Sequence, residues 1–87
     1  MNTFFSEVLT KLSLSIDNVG EKITLYGMIG IQIEGHKGII DFCNDYVIVK
    51  FKREKIRICG ERLTLKEISK DEIFVNGKIK SLGVVDD

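Results

Sequence analysis

The single histidine of this chain is the first residue to test for chemistry, because imidazole serves in catalytic triads and as a metal ligand. It lies in the stretch Glu34-Gly35-His36-Lys37-Gly38, between glycines that permit positive φ angles. A triad also needs a nucleophile and an orienting carboxylate, and none of the serines lies in a Gly-x-Ser-x-Gly elbow. We therefore interpret His36, Lys37 and Gly38 as a turn motif and expect no catalytic residue.

The two cysteines do not suggest a metal site. His36, Cys43 and Cys59 are spaced too widely for the close ligand pairs of a zinc ribbon, so we expect no metal and no cofactor. The N-terminus lacks the basic and apolar regions of a signal peptide. No apolar run approaches the ~18 residues that cross a membrane. We expect reduced thiols in a reducing compartment, and hence a cytoplasmic protein with no transmembrane segment of its own.

A run of basic residues around Phe51 is the one local excess of charge. Lys52, Arg53 and Lys55 fall at a predicted hairpin tip, where they could contact phosphates. Phe51, however, alternates in phase with Val49, which favours the core over a stacking platform for bases. Lysines also discourage pairing at sheet edges. We expect a solvated, edge-protecting tip, with nucleic acid and an acidic lipid surface as the two alternatives.

The balance of charges adds to this interpretation. Thirteen basic and thirteen acidic residues give a formal net charge of zero. Domains dedicated to nucleic acid usually have a pI above about 9, so we do not expect nucleic acid to be the main partner. A neutral chain also has little electrostatic protection against self-association.

The first element that must position these residues is a short helix. Apolar residues recur at i, i+3, i+4 and i+7 from Phe5, which predicts an amphipathic helix over residues 3–13, followed by a connector up to residue 22. Such a helix is too short to persist alone in water, so it must dock on its own sheet, on a partner or on a membrane surface. The candidate docking residues are Phe4, Phe5, Val8, Leu9 and Leu12.

From Ile23 onward the apolar period changes to two, as in Ile29, Ile31 and Ile33, which share one face. Thirteen isoleucines and seven valines, with no alanine and no proline, suit a pleated sheet. Short connections permit antiparallel neighbours only. We therefore predict a mostly β fold, an antiparallel meander of 7–8 short strands curled into a sandwich or small barrel, with the helix packed against it.

Two turn signals divide the second half of the chain. Gly60-Glu61 and Asn76-Gly77 each separate two apolar runs, and Asn-Gly is the strongest signal for a two-residue hairpin. We predict separate short strands on both sides of each signal. The domain organisation is then a helix and connector over residues 1–22 and a β domain over 23–87, in a single domain overall.

Five motifs follow one another along the β domain in a characteristic order. They are Ile23-Thr24-Leu25-Tyr26-Gly27, Ile31-x-Ile33-Glu34-Gly35-His36-Lys37-Gly38-Ile39, Ile56-x-Ile58-x-Gly60, Leu63-x-Leu65-Lys66-Glu67-Ile68 and Glu72-Ile73-x-Val75-x-Gly77-x-Ile79. In this order they resemble the YabP/YqfC family of sporulation proteins. The short upstream helix and the chain length make the chain more similar to the YqfC branch, although no proline precedes Ile23.

The resemblance implies a protein of endospore-forming Firmicutes that is made in the mother cell during sporulation and has no assigned enzymatic activity. It also implies a membrane-associated sporulation partner of the YqfD type, which would bring this cytoplasmic protein to the forespore membrane. Two hypotheses follow. The chain is a non-enzymatic interaction module of spore-envelope formation, which docks on that partner or self-associates into a homo-oligomer, or it is a small β domain that binds nucleic acid with the basic hairpin tip. We favour the first.

Overall fold

The computed structural model describes residues 12–15, 20–27 and 29–85. These ranges contain seven strands: β1 (Leu12–Ser15), β2 (Lys22–Tyr26), β3 (Gly30–Glu34), β4 (Gly38–Phe42), β5 (Tyr46–Lys50), β6 (Lys55–Lys66) and β7 (Glu72–Val84). They form one sheet in the order β1-β2-β3-β7-β6-β5-β4, and every neighbouring pair is antiparallel. The prediction of a mostly β, antiparallel fold is confirmed. None of the described residues is helical.

The strand order departs from a simple meander at one place. β4 does not pair with β3, because β7 returns to that position and pairs with β3, Ile31 opposite Val75 and Ile33 opposite Ile73. The sheet therefore consists of two meanders, β1 to β3 and β4 to β7, which the β3–β7 ladder joins.

This order forces the sheet to curl. Four inter-strand steps separate β3 from β4, which is about 19 Å in a flat sheet because neighbouring strands lie about 4.8 Å apart. The chain, however, passes from Glu34 to Gly38 through three connecting residues and reaches at most about 14 Å. The two halves of the sheet must fold towards each other, in agreement with the predicted curling. β1 and β4 stay at opposite ends of the order, so the described strands do not close into a barrel.

Long strands replace two of the predicted turns. The prediction of turns at Gly60-Glu61 and Asn76-Gly77 is wrong, because β6 and β7 run through them. The β6–β7 register shifts between Cys59 and Gly60 and again between Glu61 and Thr64. A Cβ atom at Gly60 would lie 2.1 Å from the backbone oxygen of Lys78. These glycines allow a bulged, bent ladder rather than a hairpin, so residues 22–84 form six strands instead of the predicted 7–8.

The core lies between the two halves of the curled sheet. Side chains alternate along β2, β3, β5 and β7, with one set buried on what we call the inner face and the other set on the outer face. The buried apolar residues form one cluster: Ile23, Leu25, Ile31, Ile33, Val47, Val49, Phe51, Ile56, Ile58, Leu63, Ile73, Val75 and Ile79.

The predicted helix over residues 3–13 lies outside the described residues except at its last two positions. Leu12 and Ser13 belong to β1, in which Leu12 lies opposite Leu25 and Leu14 opposite Ile23. An alternation of leucines beside a buried strand fits β pairing, which overrides the helical spacing here. The helix prediction is wrong at these two positions, and the connector predicted up to residue 22 holds the rest of β1 and the start of β2.

Candidate functional site

The turn motif and the basic hairpin tip, predicted separately, lie together at one end of the fold. We call this region the loop cluster: residues 35–37 and 51–54 with Glu21 and Asp71. Three hydrogen bonds hold it together. Gly35 N donates to Asp71 O (2.7 Å), Lys37 N to Lys50 O (2.7 Å) and Lys52 N to a Glu21 carboxylate oxygen (2.8 Å). The β4–β5 hairpin, in which Gly38 lies opposite Lys50, thus places the two candidate sets side by side, and the folded sheet adds Glu21 and Asp71 to them.

Gly35 makes this close approach possible. Its φ angle is +83°, and a Cβ atom there would lie 2.1 Å from the backbone oxygen of Gly20. Only glycine fits a position that combines a left-handed backbone with a contact this short. The glycine of the His36 turn motif that matters most is therefore Gly35, and no Cβ contact arises at Gly38, where a Cβ atom would meet nothing within 4 Å.

His36 is packed inside the loop cluster. Its side chain is 4% exposed, and neither Nδ1 nor Nε2 has a hydrogen-bond partner among the described residues. An imidazole without an orienting carboxylate or a neighbouring nucleophile is not arranged as a triad. The described residues also contain no group of three histidine, cysteine or acidic side chains that could hold a metal ion. His36 thus lies in the segment between β3 and β4 with its imidazole buried.

The basic hairpin tip is not a uniformly positive surface. Phe51 is fully buried, so it is not available to stack on a base. Lys37 and Lys52 line a pocket of about 350 Å³, and the carboxyl-bearing residues Glu21 and Asp71 line the same pocket. Cationic and anionic side chains therefore balance around this pocket, which weakens its attraction for a nucleic-acid backbone.

The β4 edge (Gly38–Phe42) is the second candidate surface. β4 lies at the end of the sheet order, and a bulge between Ile39 and Asp41 shifts its register against β5. Ile40 and Phe42 are 47% and 40% exposed. Two large apolar side chains on an edge strand form a surface that suits contact with another protein. The sequence analysis predicted a strand for both residues, but no sequence pattern indicated the bulge that exposes Ile40.

Asp41 organises the polar side of this edge. One carboxylate oxygen accepts a hydrogen bond from the Phe42 backbone N–H (2.8 Å), and the other accepts one from the Tyr46 hydroxyl (2.9 Å). This carboxylate raises the pKa of Tyr46 above the ordinary value of 10.0, through the hydrogen bond first and its negative charge second. The Arg57 guanidinium lies 5.0 Å from the centre of the Tyr46 ring, a cation–π distance.

A third surface, which the sequence analysis missed, is a groove on the outer face of β2, β3, β7 and the end of β6. We call it the outer groove. Its volume is about 480 Å³, and its lining residues are Tyr26, Ile29, Gln32, Lys66, Glu67, Phe74 and Asn76. A sequence signal for it exists in Tyr26 and Phe74. Both are aromatic residues at outward positions of strands whose other side chains alternate between buried and exposed.

Aromatic contacts shape the outer groove. The rings of Tyr26 and Phe74 lie 6.1 Å apart between centroids and are tilted by 48°. The Phe74 ring also lies over the backbone of Gly30, where a Cβ atom would come within 2.8 Å of it. Ile29, which the sequence placed on the core face, is 65% exposed, because β3 begins at Gly30 and the Ile29 backbone is held in the preceding turn.

The candidate docking residues near the N-terminus divide into two groups. Phe4, Phe5, Val8 and Leu9 lie outside the described residues, and Leu12 lies in β1. In the part of the chain that the structure describes, no helix has the length and apolar character needed to cross a membrane.

Comparison with known proteins gives a family. Residues 17–87 match the family model of the YabP family. The chain is also 33% identical over 58 residues to the "Uncharacterized protein YqfC" of Bacillus subtilis (strain 168), a match that covers 67% of this chain and 62% of that relative. The matched part is thus less than two thirds of the relative's length. No solved structure matches the chain. Because the family match includes β2 to β7 with the loop cluster, the β4 edge and the outer groove, this chain belongs to the YabP family.

Proposed function

We propose that this protein is a non-enzymatic interaction module of sporulation, which docks through its β4 edge on a membrane-associated partner in the mother cell. Family membership supports the role in sporulation. The observation that carries the docking proposal is the pair of exposed apolar side chains, Ile40 and Phe42, on a strand that ends the sheet.

The β4 edge combines apolar area with a restraint on strand addition. Ile40 and Phe42 offer surface that gains free energy when a partner removes it from water, about 25 cal/mol for each Å² buried. Asp41, however, occupies the Phe42 N–H that an added strand would need. A carboxylate at an edge also opposes pairing with a second copy, which carries the same charge at the same place. These features favour a different protein over self-association.

The partner that the family suggests is a membrane-associated sporulation protein of the YqfD type. Docking on it would place this chain at the forespore membrane during spore-envelope formation, although no described helix crosses a membrane. Attachment through a protein partner would bring the chain to the membrane without a membrane-spanning helix in its described residues.

Co-expression of the tagged full chain with a YqfD-type protein tests the proposal. The partner recovered from detergent-solubilised membranes is compared for the wild type, Ile40→Asp and Phe42→Asp. Each change should lower recovery about tenfold, which corresponds to a loss of about 1.4 kcal/mol. Ile68→Asp is the matched control, because Ile68 is an exposed isoleucine outside the β4 edge. Unchanged recovery with both edge variants, whose circular dichroism shows that they fold, would contradict the proposal.

Two further measurements separate the alternatives. Size-exclusion chromatography with light scattering should show a monomer across a wide concentration range, and a dimer that Phe42→Asp dissociates would show that the edge pairs with a second copy. Single-stranded DNA and RNA should not bind at physiological salt. Binding that Lys52→Ala, Arg53→Ala and Lys55→Ala abolish would favour the nucleic-acid hypothesis instead.

A further inference from the structure

We infer that the outer groove is the docking site of this chain's own residues 1–11. The inference is independent of the β4 edge, since β1, to which these residues lead, and β4 lie at opposite ends of the sheet order. Residues 1–11 would cover the outer groove, and the β4 edge would stay available to a partner.

The groove has the character of a surface that is normally covered. Tyr26, Ile29 and Phe74 give it an apolar floor and wall. The polar residues beside them are Gln32, Lys66, Glu67 and Asn76. Contiguous apolar surface of this kind on a soluble protein marks a contact site. The Phe74 ring lies over the backbone of Gly30 and contacts the Tyr26 ring, so these two aromatic side chains shape the groove.

The chain enters beside this groove. β1 is antiparallel to β2, and its first residue, Leu12, lies opposite Leu25. The residue after Leu25 is Tyr26, which lines the groove and pairs with Gly30 at the start of β3. The segment that precedes Leu12 therefore starts one strand spacing, about 4.8 Å, from the groove wall.

The length of the segment matches the span of the groove. From β2 across β3 and β7 to the end of β6 there are three inter-strand steps, or about 14 Å. Residues 3–11, the part of the predicted helix that precedes β1, would extend about 14 Å as a helix, at 1.5 Å for each residue. The amphipathic spacing of the segment supplies a matching apolar face, formed by Phe5, Val8 and Leu9.

A row of outer-face residues provides a second observation. Thr24, Gln32, Phe74 and Lys66 lie side by side across β2, β3, β7 and β6. Thr24 is 9% exposed, although it points away from the core cluster and neighbours a strand of only four residues, β1. A threonine on a sheet face open to water keeps more of its surface accessible, so this face is covered close to where the chain enters.

Paramagnetic relaxation tests the proposal on the full-length chain. In a Cys43→Ser, Cys59→Ser background, a nitroxide is attached to Lys66→Cys in the groove or, as the matched control, to Asp45→Cys in the turn between β4 and β5. Both positions are exposed. The amide signals of residues 4–11 should lose at least half of their intensity with the groove label and keep it with the control label.

Equal attenuation by the two labels would overturn the proposal. A sample that mixes isotope-labelled chain without nitroxide and unlabelled chain with nitroxide tests the other occupant. Attenuation that appears only in this mixed sample would show that the groove binds the N-terminal segment of a second copy. Phe5→Asp provides an independent check, because it should restore the intensity lost by residues 4–11 while the signals of β5 and β6 stay in place.

Discussion

The outer groove and the β4 edge are both apolar, and they differ in shape, in position and in the polar groups around them. The groove is concave, spans four strands and begins beside the point where residues 1–11 join β1. The edge is a single strand at the other end of the sheet, on which Ile40 and Phe42 are exposed. The backbone N–H of Phe42 donates a hydrogen bond to the Asp41 carboxylate. A concave surface close to the amphipathic sequence of residues 1–11 suits a cover from the same chain, whereas an edge with a restraint on strand addition suits a selected partner.

This difference has an energetic consequence. When residues of the same chain cover a surface, the contact stabilises the fold, because no second molecule loses translational and rotational freedom. Contact with a partner contributes to binding and leaves the stability of the isolated chain unchanged. Substitutions in the two regions should therefore separate in their effects on unfolding.

The largest effect is expected when the segment proposed to cover the groove is made charged. Leu9→Asp would bury a carboxylate against Tyr26 and Phe74 or detach the segment, and should lower the free energy of unfolding by about 2–3 kcal/mol. Phe42→Asp at the exposed edge should change it by less than about 1 kcal/mol. Urea unfolding of both variants measures the difference. Equal free energies of unfolding for the two variants would contradict the proposed difference between the two surfaces. Docking of residues 1–11 on a partner or a membrane would then be favoured.

A smaller effect is expected inside the groove itself. Phe74→Ala removes the contact with the Tyr26 ring and uncovers the backbone of Gly30, which should cost about 1–2 kcal/mol of unfolding free energy. Phe42→Ala is the matched control at the edge, with an expected change below about 0.5 kcal/mol. A loss at Phe42 as large as the loss at Phe74 would show that the edge residue belongs to the core.

The hydrogen bond from the Phe42 N–H to Asp41, which opposes strand addition at the β4 edge, can be removed without changing Ile40 or Phe42. Asp41→Ala frees the Phe42 N–H for a strand of a second copy and should strengthen self-association about fivefold, as expected for one hydrogen bond of about 1 kcal/mol. Tyr46→Phe is the control, since it loses the bond to Asp41 and keeps the carboxylate on Phe42 N. Light scattering as a function of concentration measures both. Association that rises equally in the control would assign the effect to Tyr46.

The alternation of apolar residues was enough to predict the core and the antiparallel pairing. Ile31, Ile33, Val47 and Val49 are buried where a period of two placed them. The turn residues were less informative, because glycine permits a bulge as readily as a hairpin. The choice between the two at Gly77 was settled by the β6–β7 ladder, in which Asn76 lies opposite Thr64 and Lys78 opposite Glu61 across a register shift that local residue types do not indicate.

The candidate site was predictable in its parts and not in its assembly. The His36 turn motif and the basic tip were recognised from local residue types, and the β4–β5 hairpin places them side by side. The contacts of this region with Glu21 and Asp71, however, depend on β7 inserting beside β3 and on the curl that follows. The outer groove was missed for a similar reason. Tyr26 and Phe74 are far apart in the chain, and only the β2–β3 and β3–β7 registers bring their rings together.

The smallest expected effect is on the ionisation of Tyr46, and it tests whether Asp41 holds the polar side of the edge as described. The hydrogen bond from Tyr46 and the charge of Asp41 raise the pKa of the Tyr46 hydroxyl above 10.0. A raised pKa means that the folded state favours the protonated hydroxyl. The stabilisation is therefore complete below pH 10.0 and is lost as the pH rises through the higher pKa of the folded state. Tyrosinate absorbance during an alkaline titration should show that Asp41→Asn lowers this pKa towards 10.0, whereas Asp45→Asn leaves it in place. If the Asp41 variant titrates like the wild type, the carboxylate does not hold the Tyr46 hydroxyl in solution, and Asp41 would organise the β4 edge through the Phe42 N–H alone.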